Sequence, residues 1–179
     1  MVEEKLGYKY YEKRNGKVPR VKIYLGGPFF DLMQKQRVDD AAGYLDSNPT
    51  VSVIHCPFDY QSRDASIDND KDGFFGSRTW VDNTFRNDIY AMQTSDVGVF
   101  LYDLDKEDSG TAMEIGFMYE QHKPVYLVPF YKGNLDNYEL NLMIAGATTQ
   151  YIDGSELSKL KDVNFDHPNT EVESKFKVF

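Results

Sequence analysis

The sequence predicts a doubly wound α/β domain, a sheet of about five parallel strands with helices on both faces. Three observations carry this. Short apolar runs rich in β-branched and aromatic residues recur along the chain, too brief for helices. Longer amphipathic segments separate them, with apolar residues three and four apart. The alternation itself argues for parallel pairing, because parallel neighbours need crossovers that helices supply. The 179 residues suit one domain over 21–179, preceded by a basic extension over 1–20.

VKIYLGG, from Val21, reads as a buried strand. DLMQKQRVDDAAGYLDS follows as an amphipathic helix stopped by Asn48-Pro49, and VSVIHCPF as a second strand. The polar stretch from Asp59 to Ser77 breaks the rhythm. Then come a helix near Arg78 to Thr94, the strand DVGVFLYD, a helix near Thr111 to Gln121 and the strand KPVYLVPF. After a Gly/Asn/Asp loop, ELNLMIAGAT reads as helical, TTQYID as a short last strand and GSELSKLKDV as a closing helix. Ligands in such sheets sit beyond the carboxyl ends of the strands, so chemistry is expected in the loops after Gly26, Pro57, Asp103 and Phe130.

Composition removes several classes of function. The formal net charge is −9, and since the first twenty residues hold six basic against three acidic side chains, the body from Val21 carries −12. Such a surface repels polyanions, so nucleic acid is not an expected partner. No apolar run approaches the roughly 20 residues needed to cross a bilayer, and the N-terminus lacks the apolar core of a signal peptide. A cytoplasmic protein is expected, which agrees with a lone Cys56 that can close no internal disulfide and reads as a small buried hydrophobe. His55, His122 and His167 are far apart, so no metal site of nitrogen and sulfur ligands is expected. Asp68 to Gly73 imitates the opening of a calcium loop, but the twelfth position is Thr79 where bidentate coordination needs Glu. Gly26-Gly27-Pro28 stands where a dinucleotide fingerprint would, without its spacing, so the glycines are read as allowing close approach at the strand end.

Three carboxylates do not fit a solvated surface. Between Ala112 and Met118 every residue except Glu114 is apolar or glycine, so Glu114 is carried into a buried helix, where an ionised carboxylate needs a partner. It reads equally as the glutamate of a capping box, Thr111-x-x-Glu114, and as a carboxylate held for chemistry. Asp108 opens the same helix and reads as an N-cap or as a ligand contact. Asp88 borders the apolar stripe Val81, Phe85, Ile89 and Met92, a solvated position unless the stripe's edge meets a site. With Tyr24 and the aromatic pair Phe29 and Phe30 nearby, such carboxylates suit glycosyl chemistry.

The ordered series KIYLGGPFF, TWVDNTFRND, GVFLYD, DSGTAMEIGF, KPVYLVPF, ELNLMIA and KLKDVNF resembles the nucleoside 2-deoxyribosyltransferases over nearly everything after residue 21. KIYLGGPFF and GVFLYD look closest to the purine-preferring branch. The resemblance implies a flavodoxin-like fold, no cofactor, and exchange of one nucleobase for another on a purine 2'-deoxyribonucleoside with retention at the anomeric carbon. By motif position, Glu114 matches the nucleophile, Asp88 the acid that handles the base's proton, Asp108 a residue binding the sugar hydroxyls, and Tyr24 the tyrosine that orients the nucleophile. Asn141 matches an asparagine lent by a neighbouring subunit, since the family's sites are completed across dimers that form hexamers. Gly26 and the aromatic walls Phe29 and Phe30 belong to the same expected substrate site.

Two departures stand out. The chain ends in Phe179 where the family commonly ends in tyrosine, which leaves a terminal carboxylate without a phenolic hydroxyl. The basic extension and the 59–77 loop also match poorly. Retention itself demands two displacements, with a carboxylate attacking one face while an acid assists the leaving base. The rival readings are a hydrolase of the same superfamily, cleaving a nucleoside or nucleotide with water, and a non-catalytic nucleoside-binding module.

Overall fold

The computed structural model of the chain describes residues 21–66, 69–70, 72–168 and 176–179. The predicted extension over 1–20 lies outside the described residues.

The apolar runs form the expected strands: β1 (Val21–Gly26), β2 (Val51–His55), β3 (Val97–Asp103) and β4 (Val125–Phe130). The helices α1 (Leu32–Asp46), α2 (Arg78–Thr94) and α3 (Ser109–Glu120) alternate with them. The remaining elements are β5 (Glu139–Leu140), α4 (Leu142–Ala147), β6 (Gln150–Tyr151), a 3-10 segment Gly154–Lys161 and β7 (Lys177–Val178). Strands β2-β1-β3-β4-β6 make one sheet in that order, parallel throughout, which is the flavodoxin-like arrangement. The chain leaves β1 toward β2 on one side and returns to β3 on the other, so the crevice between the ends of β1 and β3 is where the order reverses.

The strand period of two sorts the core into two layers. Ile23, Leu25, Val97, Val99, Leu101, Tyr126 and Val128 face one way, onto Val38, Ala41 and Leu45 of α1 and Leu157 and Leu160 of the 3-10 segment. Tyr24, Phe100, Tyr102, Val125 and Leu127 face the other way, onto Ala91 and Met92 of α2, Ile115 and Met118 of α3 and Ile144 of α4. Burial on both faces explains why the strands read as continuous apolar runs. Asn48 closes the end of the first layer, donating through Nδ2 to the carbonyls of Leu160 (2.7 Å) and Val163 (2.8 Å) and accepting from the Thr50 amide and hydroxyl.

Three local expectations are corrected. ELNLMIAGAT is not one helix. Glu139 and Leu140 pair with Lys177 and Val178 in a small parallel sheet, and only Leu142–Ala147 is helical, because Asn141 caps it by accepting from Met143 N. GSELSKLKDV winds as a 3-10 segment interrupted at Glu156 (φ −113°), with Asp153 capping its start. The capping box at Thr111-x-x-Glu114 does not form. Asp108 is the N-cap of α3, its carboxylate accepting from Gly110 N (3.3 Å), Thr111 N (2.8 Å) and Thr111 Oγ1 (2.7 Å), so the helix begins a turn earlier and Glu114 is left free to turn elsewhere.

Candidate active site

Position along β1 decides the first contact of the site. Tyr24 lies on the face of the sheet that packs under α2 and α3, and it is 0% exposed. A buried phenol needs a partner, and Tyr24 OH donates to Glu114 Oε1 at 2.8 Å across ninety residues of sequence. Gly26, two residues on, gives these groups room. A Cβ there would lie 2.7 Å from the Phe100 ring and 2.8 Å from Glu114 Oε2, closer than real Cβ contacts. Gly26 therefore stands behind the carboxylate and does not itself line the cavity in front of it.

That cavity, about 620 Å³, opens beyond the carboxyl ends of β1, β2 and β3. Glu114, Asp88 and Asp108 line it together, with Gly27, Phe29 and Phe30 from the β1 loop, Pro57 and Phe58 after β2, and Trp80 and Thr84 from α2. Phe29 sits between Phe30 and Phe58, with ring centroids 5.6 and 5.1 Å away. Phe30 is 73% exposed, so its ring forms the rim. Asn141 and Phe179 do not reach this cavity within one chain. They adjoin each other instead, Leu142 N donating to Phe179 O at 3.1 Å. The loop after β4 contributes to a separate depression of about 410 Å³, where Arg37 donates to Asp103 Oδ2 at 2.8 Å.

The 59–77 stretch supplies walls that sequence reasoning missed: Gln61, Ser66 and Phe75 line the cavity too. Tertiary contacts fold it there. Ser62 N donates to Thr84 Oγ1 (3.3 Å), Trp80 Nε1 to Ala65 O (3.2 Å), and the rings of Phe75 and Trp80 meet at 4.7 Å. Arg63 and Asp64 take left-handed conformations (φ 57° and 53°) to make the bend. Trp80 and Thr84 belong to the same motif as Asp88, and their spacing of four on a helix could have marked one face.

The electrostatics single out two acids. Burial pushes the Glu114 carboxyl up to about 8; the Tyr24 hydrogen bond works against this, and the charges of Asp88 and Asp108 add to it. Burial alone pushes Asp88 up to about 7, and its Oδ1 is buried without a hydrogen-bond partner. Tyr24 is raised far out of its titrating range, first by burial and then by Glu114 and Asp88, so it stays a donor. An acid with no partner for its charge holds a proton most easily, and a carboxylate with a phenol aimed at it gives one up most easily. The two raised carboxyls hold a proton between them near neutrality: the Tyr24 hydrogen bond favours charge on Glu114, while the burial that pushes Glu114 above Asp88 opposes it. Cys56 is buried in the core and its thiol is pushed up to about 11 by that burial, which leaves it inert.

A family model described as nucleoside 2-deoxyribosyltransferase matches residues 23–168. A nucleoside deoxyribosyltransferase of Limosilactobacillus fermentum is 46% identical over 167 residues, 93% of this chain and 99% of that one. Another, of Lactobacillus leichmannii, is 30% identical over 84% of this chain and 94% of its own. Among solved structures, a 2-deoxyribosyltransferase from Bacillus psychrosaccharolyticus aligns with a TM-score of 0.66 at 26% identity, covering 81% of this chain and 93% of that one.

Proposed function

The chain belongs to the nucleoside 2-deoxyribosyltransferase family, and from that premise we propose that it exchanges the nucleobase of purine 2'-deoxyribonucleosides through a covalent deoxyribosyl ester on Glu114. The observation that carries this reading is the Tyr24–Glu114 hydrogen bond at the wall of a cavity that also holds a partnerless, protonatable Asp88.

In the first displacement a Glu114 oxygen bonds to the anomeric carbon as the C–N bond to the base breaks, and the Asp88 proton goes to the departing base. An incoming base then gives its proton back to Asp88 as its nitrogen attacks the same carbon and the ester bond breaks. Two inversions give net retention. Tyr24 steadies the carboxylate, Asp108 binds sugar hydroxyls while capping α3, and Phe29 and Phe30 flank the base ring. The aromatic enclosure disfavours water, which would otherwise release free deoxyribose. The family resemblance adds no cofactor and an Asn141 lent by a neighbouring chain, in dimers grouped as a hexamer, with Phe179 beside it at the subunit contact. Among the described residues no helix is long and apolar enough to cross a membrane; we place the enzyme in the cytoplasm, in purine salvage.

Deoxyinosine incubated with adenine and followed by chromatography tests the proposal. Deoxyadenosine and hypoxanthine should form together. Deoxyribose released equally fast without any acceptor base would make the protein a hydrolase.

A further inference from the structure

Beside Tyr24 lies a histidine that none of the steps above uses. His55 ends β2, the edge strand, and is the register partner of Tyr24 on β1, so the two side chains leave the same face of the sheet side by side. The imidazole lies nearly parallel to the Tyr24 ring, at 12° with centroids 5.8 Å apart. Tyr60, from the turn Pro57–Tyr60, also stacks on it, at 16° and 4.3 Å. A row of rings thus leads from Tyr60, 51% exposed, through His55 to Tyr24 and its hydrogen bond with Glu114. His55 Nε2 is buried without a hydrogen-bond partner among the described residues, so that nitrogen anchors nothing and the stacked rings hold the imidazole. Burial also keeps its pKa below the ordinary histidine value, against the pull of the Asp59 charge, so near neutrality it offers Tyr24 an uncharged flat face.

A phenol is aimed by its ring. A tilt about Cβ displaces the hydroxyl more than any other atom of the side chain, and a hydrogen bond weakens steeply once its distance and angle are lost. Phe100 meets the Tyr24 ring at a tilt of 48° and 6.0 Å, whereas His55 meets it flat. His55 does not line the cavity, so its effect on the reaction must pass through a neighbour. Resting on the nucleoside reading of this cavity, we infer that His55 is a positioning residue of the exchange reaction: its flat face sets the tilt of the Tyr24 ring and with it the aim of the phenol at Glu114.

The test is a double-mutant cycle on the exchange of deoxyinosine with adenine, with thermal melting to confirm that each variant is folded. His55→Leu keeps an apolar side chain but removes the flat ring. It should lower kcat by about threefold to tenfold with KM nearly unchanged, the worth of one aromatic pair felt only in the transition state. It should also move the acid limb to higher pH, as Tyr24→Phe does. His55→Phe, which restores a flat ring, should recover most of both effects. In a Tyr24→Phe background His55→Leu should change kcat by less than about twofold, since no phenol is left to aim. Tyr60→Leu, at the exposed end of the row, should shift kcat and the acid limb the same way by less, and it reads the inference even if His55→Leu loses the fold. Unchanged kcat in His55→Leu, an equal loss with and without the Tyr24 hydroxyl, or a loss with an unmoved acid limb would overturn the inference and leave His55 a packing residue. Absence of exchange in the unsubstituted enzyme would instead remove the nucleoside reading, and this inference with it.

Discussion

Replacing Tyr24 by Phe removes one oxygen from the centre of the site and little else. The ring stays wedged between Phe100 and His55, with centroids 6.0 and 5.8 Å away, so packing is preserved. What is lost is a 2.8 Å hydrogen bond to a carboxylate, a charge-assisted contact worth about 1.5–3 kcal/mol. That energy favours the ionised form of Glu114, so without it the carboxyl should titrate higher still, by about one to two units. The acid limb of the exchange rate should move to higher pH by the same amount, and kcat/KM near neutrality should fall roughly tenfold to a hundredfold. Steady-state exchange of deoxyinosine with adenine between about pH 5 and 9 reads both effects at once. A rate within about twofold of the unsubstituted enzyme and an unmoved acid limb would refute the claim that Tyr24 holds the nucleophile in its charged form.

Other consequences follow from the same contacts. Glu114→Gln should change how stability depends on pH. The folded carboxyl, raised to about 8 by burial, contributes stability that is full below its unfolded pKa and lost as pH rises through about 8, so the unfolding free energy of wild type, from denaturant titration, should fall by roughly 2–4 kcal/mol more than that of the variant between about pH 5 and 9; parallel curves would contradict the shift. Gly26→Ala should drive the Phe100 ring or the Glu114 carboxylate from its place, since both lie under 3 Å from the new methyl; about 1–3 kcal/mol of stability and most of the exchange activity should be lost. Mixing Glu114→Gln chains with Asn141→Ala chains, each nearly inactive alone, should recover up to about a quarter of wild-type activity if sites are shared between subunits, because each mixed dimer then holds one intact site. Activity no greater than the sum of the separate chains would mean that Asn141 serves its own chain or none.

The legible part of this molecule was the part governed by period. Runs buried on both faces gave β1, β3 and β4, and the three long helices fell between them with their spacing intact. β5 and β7 were hidden because two-residue strands have no period and their pairing joins residues 38 apart. The capping box at Thr111 fits the sequence pattern, yet Asp108, three residues earlier, wins the amides of Gly110 and Thr111 and sets the start of the helix. Glu114 was singled out by its apolar neighbours, while its hydrogen bond to Tyr24 depends on a register between β1 and α3 that only the fold supplies. The aromatic and polar walls from Phe58 to Phe75 were least legible. Nothing local distinguishes them from a solvated loop until Ser62 and Trp80 tie that loop to α2 and Ala65.

The ester on Glu114 is the centre of the account, and mass spectrometry reads it directly. Enzyme mixed with deoxyinosine and no acceptor base, quenched in acid and digested, should carry one deoxyribosyl group on the peptide containing Glu114, and adding adenine before the quench should clear it. Exchange that proceeds with no adduct, or an adduct on any other side chain, would contradict it.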